Sequence, residues 1–223
     1  MNYYQPTQTG DIYHVFTKSI AKFKIFLEKE DFVRFKDLMR YYQYLDLEYS
    51  YSDLFKAKDA SRVPFPLILR NLETHHERYV DILCFCLMST HLHFVLRQNT
   101  DHGIHIFMSK ILNSYSRYFN LKHFRKGPLW CGRFKRRLIE NDDDLWHMTR
   151  YIHLNPTTGY LSEKPGLWTY SSYSEYLGLI PEQECLCKFQ DYIDIHPAEY
   201  QKFVEERIEE QRELDYIKKW EQY

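Results

Sequence analysis

The sequence predicts an α+β fold of the ferredoxin-like (split βαβ) type, an antiparallel sheet with helices on one face and a C-terminal helical extension. Strand-like and helix-like segments follow the order strand, helix, strand, strand, helix, strand, and then an extra helix. The 223 residues are enough for one sizeable core with an appended segment. Hydrophobic residues make up 44% of the chain, which supplies the material for that core.

The first strand and the first helix are predicted from side-chain type and spacing. Residues 11–17 are rich in β-branched and aromatic types, which favour a strand. A helix is expected over about residues 30–45, because apolar side chains recur there at helical spacing. Residues 46–78 are polar, and we assign no element to them.

Two neighbouring strands are predicted in the middle of the chain. The continuous apolar run of residues 82–88 is typical of a strand that is covered on both faces. A two-residue link allows a tight reversal before residues 91–97, which form the next strand. Because side chains alternate across a strand, His91 and His93 share one face of it.

The second half of the pattern contains a helix, a strand and two further helices. A helix with one apolar stripe is expected over about residues 102–120, and a strand over residues 129–140. Three aspartates that begin at Asp142 favour a helix N-terminus, and Pro156 is expected to stop that helix. A charged helix is predicted from about Pro197 to Tyr223.

We divide the chain into a domain of residues 1–178 and an acidic, mainly helical extension of residues 179–223. No stretch approaches the roughly 18 uninterrupted apolar residues of a membrane span, and the N-terminus lacks a basic-then-apolar signal peptide. We therefore expect a cytoplasmic protein with no membrane partner. The five cysteines are odd in number and lack the spacing of a zinc loop, which favours reduced structural thiols.

Positive charge is concentrated in one part of the chain, although the net charge is only −1. No Asp or Glu occurs from His102 to Ile139, whereas the segment after Pro181 is acidic. A local cationic surface of this kind is typical of proteins that bind a phosphate backbone. The alternative interpretation is that the charges protect the edge of a strand from pairing with other chains. The candidate DNA-binding residues are Arg117, Arg125, Lys126, Trp130, Arg133, Lys135, Arg136 and Arg137.

Alternation along the last predicted strand would place Arg133, Lys135 and Arg137 on one face and Arg136 on the other. Aromatic side chains nearby are available to stack on unpaired bases. These aromatic residues are Tyr118, Phe124 and Trp130.

The histidine pair and a distant tyrosine are the candidates for chemistry. His91 and His93 lie about 7 Å apart along a strand, so both can bind one ion, although such pairs are more often a surface or half-buried pair. Tyr151 and Asn155 are four residues apart on a helix, and an Asn oxygen is a reasonable ligand for a hard divalent cation. On spacing alone, the alternative is that Tyr151 is a core tyrosine and Asn155 a helix cap before proline. A residue before proline is also pushed away from helical geometry, so Asn155 need not keep its register with Tyr151.

Three segments resemble the landmarks of the HUH single-tyrosine transposases, and of their REP-associated branch in particular. They read LMSTHLHF at residues 87–94, GPLWCGRF at residues 127–134 and RYIHLNP at residues 150–156. The segment Tyr13-His14-Val15 also stands where that family has its opening strand. The resemblance spans about residues 10–175, and its motifs are specific when they occur together in this order.

The resemblance implies a role for four residues. In that family the histidine pair binds the catalytic metal, the tyrosine attacks DNA and the asparagine completes the metal site. These roles fall on His91, His93, Tyr151 and Asn155, which all match in residue type. The implied cofactor is Mg²⁺ or Mn²⁺. The implied reaction is cleavage and transfer of single-stranded DNA through a 5′-phosphotyrosine, on hairpin or palindromic repeat DNA.

Two other functions remain open at this point. One is a domesticated protein that binds hairpin DNA without cutting it, and the other is a metal phosphodiesterase that uses water as the nucleophile. The polar segment of residues 46–78 and the acidic tail have no counterpart that we can assign in the family. We expect a monomer rather than a homodimer, and association with the nucleoid when DNA is bound.

Overall fold

The computed structural model describes residues 6–54 and 63–213, and its centre is a four-stranded sheet. The strands are β1 Ile12–Lys18, β2 Val80–Leu87, β3 His91–Gln98 and β4 Lys135–Leu138. Their order is β2-β3-β1-β4, and all neighbours are antiparallel. The predicted split βαβ arrangement is therefore confirmed, with β1 and β3 in the centre of the sheet.

The described residues contain seven α-helices with assigned bounds and further helical residues at 208–213. The seven are α1 Lys29–Tyr42, α2 Tyr51–Leu54, α3 Phe65–His75, α4 Gly103–Lys122, α5 Asp142–Thr158, α6 Tyr173–Tyr176 and α7 Pro197–Glu205. The helices α2 and α3 occupy part of the segment to which the sequence assigned no element. The prediction of one continuous closing helix was wrong, because α7 ends at Glu205 and a turn at residues 206–207 follows it. Residues 55–62 and 214–223 lie outside the described residues.

The helices α1 and α4 contact each other and cover one face of the sheet, as predicted. Phe94 on β3 meets Phe107 on α4 with ring centroids 6.5 Å apart. Asp31 near the start of α1 is fully buried, and it accepts a hydrogen bond of 2.9 Å from Lys122 at the end of α4. Apolar burial and this ion pair together fix the two helices against each other.

Helix α5 lies on the opposite face of the sheet, where it contacts β2 and β3. His153 Nε2 lies 3.4 Å from Cys84 Sγ, and Cys84 is the strand partner of Val95 on the face that carries His93. The fold therefore has helices on both sides of β2 and β3, and the expectation of helices on only one face of the sheet does not hold for these two strands. On the side of α5, residues of β1 and β4 line an open cleft instead.

The predicted strand over residues 129–140 was too long, because the structure has a strand only at Lys135–Leu138. Gly132 has a positive φ of 76°, which interrupts the extended backbone before β4. The loop is held to β1 by a hydrogen bond of 2.8 Å from the Cys131 N–H to the Lys18 carbonyl. This contact brings residues 131–135 close to the end of β1.

The prediction that Pro156 stops the helix was wrong, since α5 continues to Thr158 and is capped by Gly159. Proline lacks one N–H, but the following turn still forms, with a hydrogen bond of 2.8 Å from the Gly159 N–H to the Asn155 carbonyl. Buried packing of Pro156 favours this arrangement. Asn155 consequently keeps its helical register with Tyr151.

The segment after residue 178 packs against α5. Tyr200 and Val204 on α7 are fully buried, and Tyr200 meets Trp146 with ring centroids 5.7 Å apart. The division at residues 178 and 179 stays a prediction. Among the described residues, no helix has both the length and the apolar character needed to cross a bilayer, and the cytoplasmic location stays a prediction. All five cysteines are free thiols.

Candidate active site and nucleic-acid cleft

The two histidines of β3 lie at the start of a central strand and are largely withdrawn from water. Their ring centroids are 5.2 Å apart and their planes are nearly perpendicular, at 88°. Burial lowers the pKa of His93 well below its usual value, and the neighbouring His14 and His91 lower this pKa further. Burial also lowers the pKa of His91, against a hydrogen bond with Asn155 that raises it. Both imidazoles are therefore neutral at pH 7, the state in which histidine binds a metal.

Helix α5 brings Tyr151 to this histidine pair. The Tyr151 ring stands edge-on to His93, with centroids 5.7 Å apart and an interplanar angle of 88°. Asn155 lies one turn further along the same helix and donates a hydrogen bond of 2.9 Å from Nδ2 to the Tyr151 carbonyl. Since Asn155 also bonds to His91, the structure places all four predicted residues in one site.

The donor set fits a divalent cation with mixed nitrogen and oxygen ligands. Within residues 6–54 and 63–213, no group of three His, Cys, Asp or Glu side chains is arranged to hold a metal. An amide oxygen is a ligand of another type that suits a hard divalent cation, and Asn155 lies beside His91 in this cluster. Two imidazoles suit Mn²⁺ better than Mg²⁺, because Mg²⁺ strongly prefers oxygen ligands.

A third histidine belongs to the same cluster, and the sequence did not single it out for a role. His14 lies on β1, and its Nε2 is 2.9 Å from Nδ1 of His93. The two rings lie end to end and nearly in one plane, with centroids 5.2 Å apart and planes 11° from parallel. Burial, with a smaller effect from Arg137, lowers the pKa of His14 to about 4. The only sequence signal was a histidine on the predicted first strand, since strand pairing is what brings it to His93.

A cleft of about 450 Å³ opens beside His91 and His93. Its walls come from the end of β1, the loop before β4 and the turn before β3. Four cationic side chains contribute to the lining, and these are Lys18, Lys22, Arg133 and Lys135. The cleft has the dimensions and charge to receive a nucleotide with its phosphate.

Lys135, Arg136 and Arg137 of β4 alternate as predicted, whereas Arg133 lies in the loop before β4 and does not share the alternation. Lys135 and Arg137 pair with Phe16 and His14 on the histidine face, whereas Arg136 pairs with Val15 on the face covered by α4. The Arg137 guanidinium donates two hydrogen bonds, of 2.7 and 3.0 Å, to the Asp144 carboxylate. Part of its charge is therefore already compensated within the chain.

Arg136 and Trp130 line a second groove of about 550 Å³, and Arg133 contributes to both this groove and the cleft. The Trp130 indole N–H donates hydrogen bonds of 3.2 Å to the Leu112 carbonyl and 2.9 Å to Ser116 Oγ. Trp130 is thus fixed to α4 through its polar end. Its ring remains part of the groove wall.

The other predicted DNA-binding residues lie away from the cleft. Arg125 donates hydrogen bonds to the Asn120 side chain and to the Gly127 and Pro128 carbonyls, and so holds the turn after α4. Arg117 and Lys126 are exposed and do not line the cleft. Among the aromatic candidates, Phe124 is 97% exposed, whereas the Tyr118 hydroxyl is tied to Asp31 at 3.1 Å.

One family model matches part of this chain. The model of the family described as "Transposase IS200 like" matches residues 65–155, a span that includes the histidine pair, Tyr151 and Asn155. The matched residues are fewer than half of the chain, and over them the chain is similar to this transposase family. β1, with His14, lies outside the matched residues.

The fold of this chain also occurs in a solved structure of a REP-associated tyrosine transposase bound to a REP hairpin. The likeness covers 88% of this chain and 98% of the other, with a TM-score of 0.53 and 14% sequence identity. At this identity the likeness shows a shared fold. A search of curated proteins found no match to this chain.

Proposed function

We propose that this protein is a transposase that cuts and rejoins single-stranded DNA through a covalent bond between Tyr151 and a 5′ phosphate. The observation that carries the proposal is the convergence of Tyr151 with His91, His93 and Asn155 beside a cationic cleft. A nucleophile, candidate metal ligands and a phosphate-binding surface are the components that phosphoryl transfer requires.

In the proposed reaction the Tyr151 hydroxyl loses its proton and its oxygen attacks the scissile phosphorus. The bond from phosphorus to the 3′ oxygen breaks, so that a 3′-hydroxyl leaves and the 5′ phosphate stays on Tyr151. Another 3′-hydroxyl can reverse these steps and restore the phosphodiester. Because no water is consumed, joining the strands needs no external energy source.

His91, His93 and Asn155 would hold the divalent cation. A phenol with an ordinary pKa near 10 is a weak nucleophile at neutral pH, so the phosphate needs activation. When bound, the cation polarises the scissile phosphate and stabilises the leaving oxygen. The low pKa values of both histidines support this role, since neither must lose a proton at pH 7 before it binds a metal.

We propose hairpin DNA with an adjoining single strand as the substrate. The cationic lining of the cleft supports binding of a phosphate backbone next to Tyr151. The REP hairpin bound to the structural neighbour supports a hairpin as the partner.

The direct test is incubation with an end-labelled hairpin and Mn²⁺ or Mg²⁺, followed by denaturing gel electrophoresis for a covalent adduct. The wild type is expected to form the adduct, more of it with Mn²⁺, and Tyr151→Phe to form none while still binding the hairpin. Tyr160→Phe is the matched control, because Tyr160 is 67% exposed. An adduct on Tyr151→Phe rules out the assigned nucleophile, and hairpin binding without any adduct in the wild type identifies a non-cleaving binding protein.

We also propose that the transposase acts as a monomer, because Tyr151 reaches His93 of its own chain. A mixture of Tyr151→Phe and His93→Ala variants should therefore remain inactive. Restored activity in the mixture would mean that one chain supplies the tyrosine to the site of another.

A further inference from the structure

The contact between His14 and His93 constrains which nitrogen of His93 can bind a cation. His14 Nε2 lies 2.9 Å from His93 Nδ1, and both side chains are 7% exposed. One of these two nitrogens must carry the proton of the hydrogen bond, and the other must accept it. Since Nδ1 of His93 is engaged in this bond, only its Nε2 is left for a metal.

The direction of the hydrogen bond decides whether Nε2 is available. If His14 donates, neutral His93 carries its proton on Nε2 and has no lone pair there. If His93 donates from Nδ1, its Nε2 lone pair is free. A neutral imidazole has only these two tautomers, and its hydrogen-bond partner selects between them.

We propose that His14 is a positioning residue that holds His93 in the Nδ1–H tautomer, with Nε2 directed to the divalent cation. The inference rests on the proposed function, because it presumes that His93 is a metal ligand. His14 accepts the Nδ1–H proton at its own Nε2, and it does not contact the cation.

The strand register and the stacking of the rings keep His14 in this position. Phe16 is the direct strand partner of His93, and His14 lies diagonally across on β1. The His14 ring lies end to end with His93 and stacks on Phe16, with centroids 5.2 and 5.0 Å apart. Contact among the three rings at the centre of the sheet restricts rotation of the His93 side chain, so its orientation is set before a metal arrives.

Two substitutions separate the hydrogen bond from the stacking. His14→Phe keeps a planar ring but removes the acceptor, whereas His14→Gln keeps a side-chain oxygen that accepts the Nδ1–H proton. Loss of an outer hydrogen-bond partner typically weakens metal binding by roughly 10- to 100-fold, and we expect this loss for His14→Phe. His14→Gln should retain most of the affinity. His75→Phe is the control, since His75 is exposed on α3.

Metal binding is measured with Mn²⁺ alone, by calorimetry or by the electron paramagnetic resonance signal of free Mn²⁺, in the absence of DNA. A second readout is the ¹⁵N chemical shifts of His93 in the metal-free wild type, which distinguish Nδ1–H from Nε2–H. The proposal predicts Nδ1–H in the wild type and a loss of this preference in His14→Phe.

Wild-type Mn²⁺ affinity in His14→Phe, or an Nε2–H tautomer of His93 in the wild type, would overturn the proposal. If His14→Phe does not fold, the tautomer of the wild type and the affinity of His14→Gln still decide the question. Failure of the proposed function gives a different result from failure of the His14 proposal. If the proposed function is wrong, the wild type forms no DNA adduct with any metal. The His93 tautomer and the Mn²⁺ affinity would still test the role of His14 in that case.

Discussion

Replacing Tyr200 with phenylalanine should lower the free energy of unfolding, because it removes the hydrogen-bond partner of a buried histidine. The Tyr200 hydroxyl lies 2.7 Å from Nδ1 of His153, and both residues have no exposed surface. His153 is on the helix that carries Tyr151. The substitution therefore tests how the C-terminal segment holds the proposed catalytic helix.

The hydrogen-bond directions around His153 follow from its protonation state. Burial lowers the pKa of His153 to about 3, so the imidazole is neutral at pH 7, with one donor and one acceptor nitrogen. Nε2 lies 2.7 Å from Ser172 Oγ, and Ser172 donates its own proton to the Phe85 carbonyl at 3.2 Å. Nε2–H therefore donates to Ser172, and Nδ1 accepts from Tyr200.

Tyr200→Phe leaves Nδ1 without a donor in a site that excludes water. An unsatisfied buried acceptor costs about 1–3 kcal/mol, and we expect a loss of stability of that size. The aromatic ring is retained, so little of the cost arises from lost packing. In a His153→Phe background the same substitution should cost less, with a coupling of about 0.5–3 kcal/mol.

The assay is urea denaturation at pH 7, followed by tryptophan fluorescence and circular dichroism. Tyr160→Phe is the matched control, and its exposed hydroxyl should matter by less than about 0.5 kcal/mol. Equal stability of Tyr200→Phe and Tyr160→Phe, or strict additivity with His153→Phe, would refute the assigned hydrogen bonds.

Three further predictions concern pH, charge and backbone packing. Folding lowers the pKa of His153 from 6.5 to about 3, so the stability that the neutral imidazole contributes is complete above pH 6.5 and is lost as the pH falls towards 3. At pH 4.5 the free energy of unfolding should be lower by about 3 kcal/mol. Urea titrations should therefore show a shallower pH dependence in His153→Phe. Lys135→Ala should weaken hairpin binding, and the slope of log K for DNA binding against log salt concentration should become shallower by about 0.7–0.9, as measured by fluorescence anisotropy. Lys202→Ala on α7 is the control, and an equal slope in the two variants would mean that Lys135 does not contact DNA. Gly103→Ala should lower the free energy of unfolding by about 1–3 kcal/mol or more, because an added Cβ would lie 2.2 Å from the Tyr79 carbonyl oxygen. Gly166→Ala is the control and should be tolerated, since the nearest atom to its added Cβ would be 3.8 Å away. Equal effects of the two substitutions in thermal or urea unfolding would contradict the close approach at Gly103.

The order of strands and helices was readable from the sequence because periodicity and composition are local properties. The apolar run before His91 predicted β2, and the alternation that follows it predicted β3. The same locality placed His91 and His93 on one face of their strand. Local rules failed at two boundaries, where Gly132 shortened β4 and where Pro156 was accommodated within α5.

The composition of the candidate site was only partly accessible from the sequence. The four residues His91, His93, Tyr151 and Asn155 were found from motif resemblance, since spacing alone favoured structural roles for Tyr151 and Asn155. His14 was missed as a site residue, because it reaches His93 only through the pairing of β1 with β3. Strand pairing joins residues that are distant along the chain, and one strand alone does not specify its partner.

Tertiary packing also decided which basic residues remain available to a ligand. Arg125 and Arg137 looked like equivalent DNA contacts in the sequence, but Arg125 holds a turn and Arg137 is paired with Asp144. The sequence by itself determined the order of most elements and the strand face that His91 and His93 share. The tertiary structure decided the side of the sheet that α5 covers, the helical register of Asn155 with Tyr151, the contact between His93 and His14 and the residues that line the cleft, because each depends on long-range contacts that no local pattern encodes.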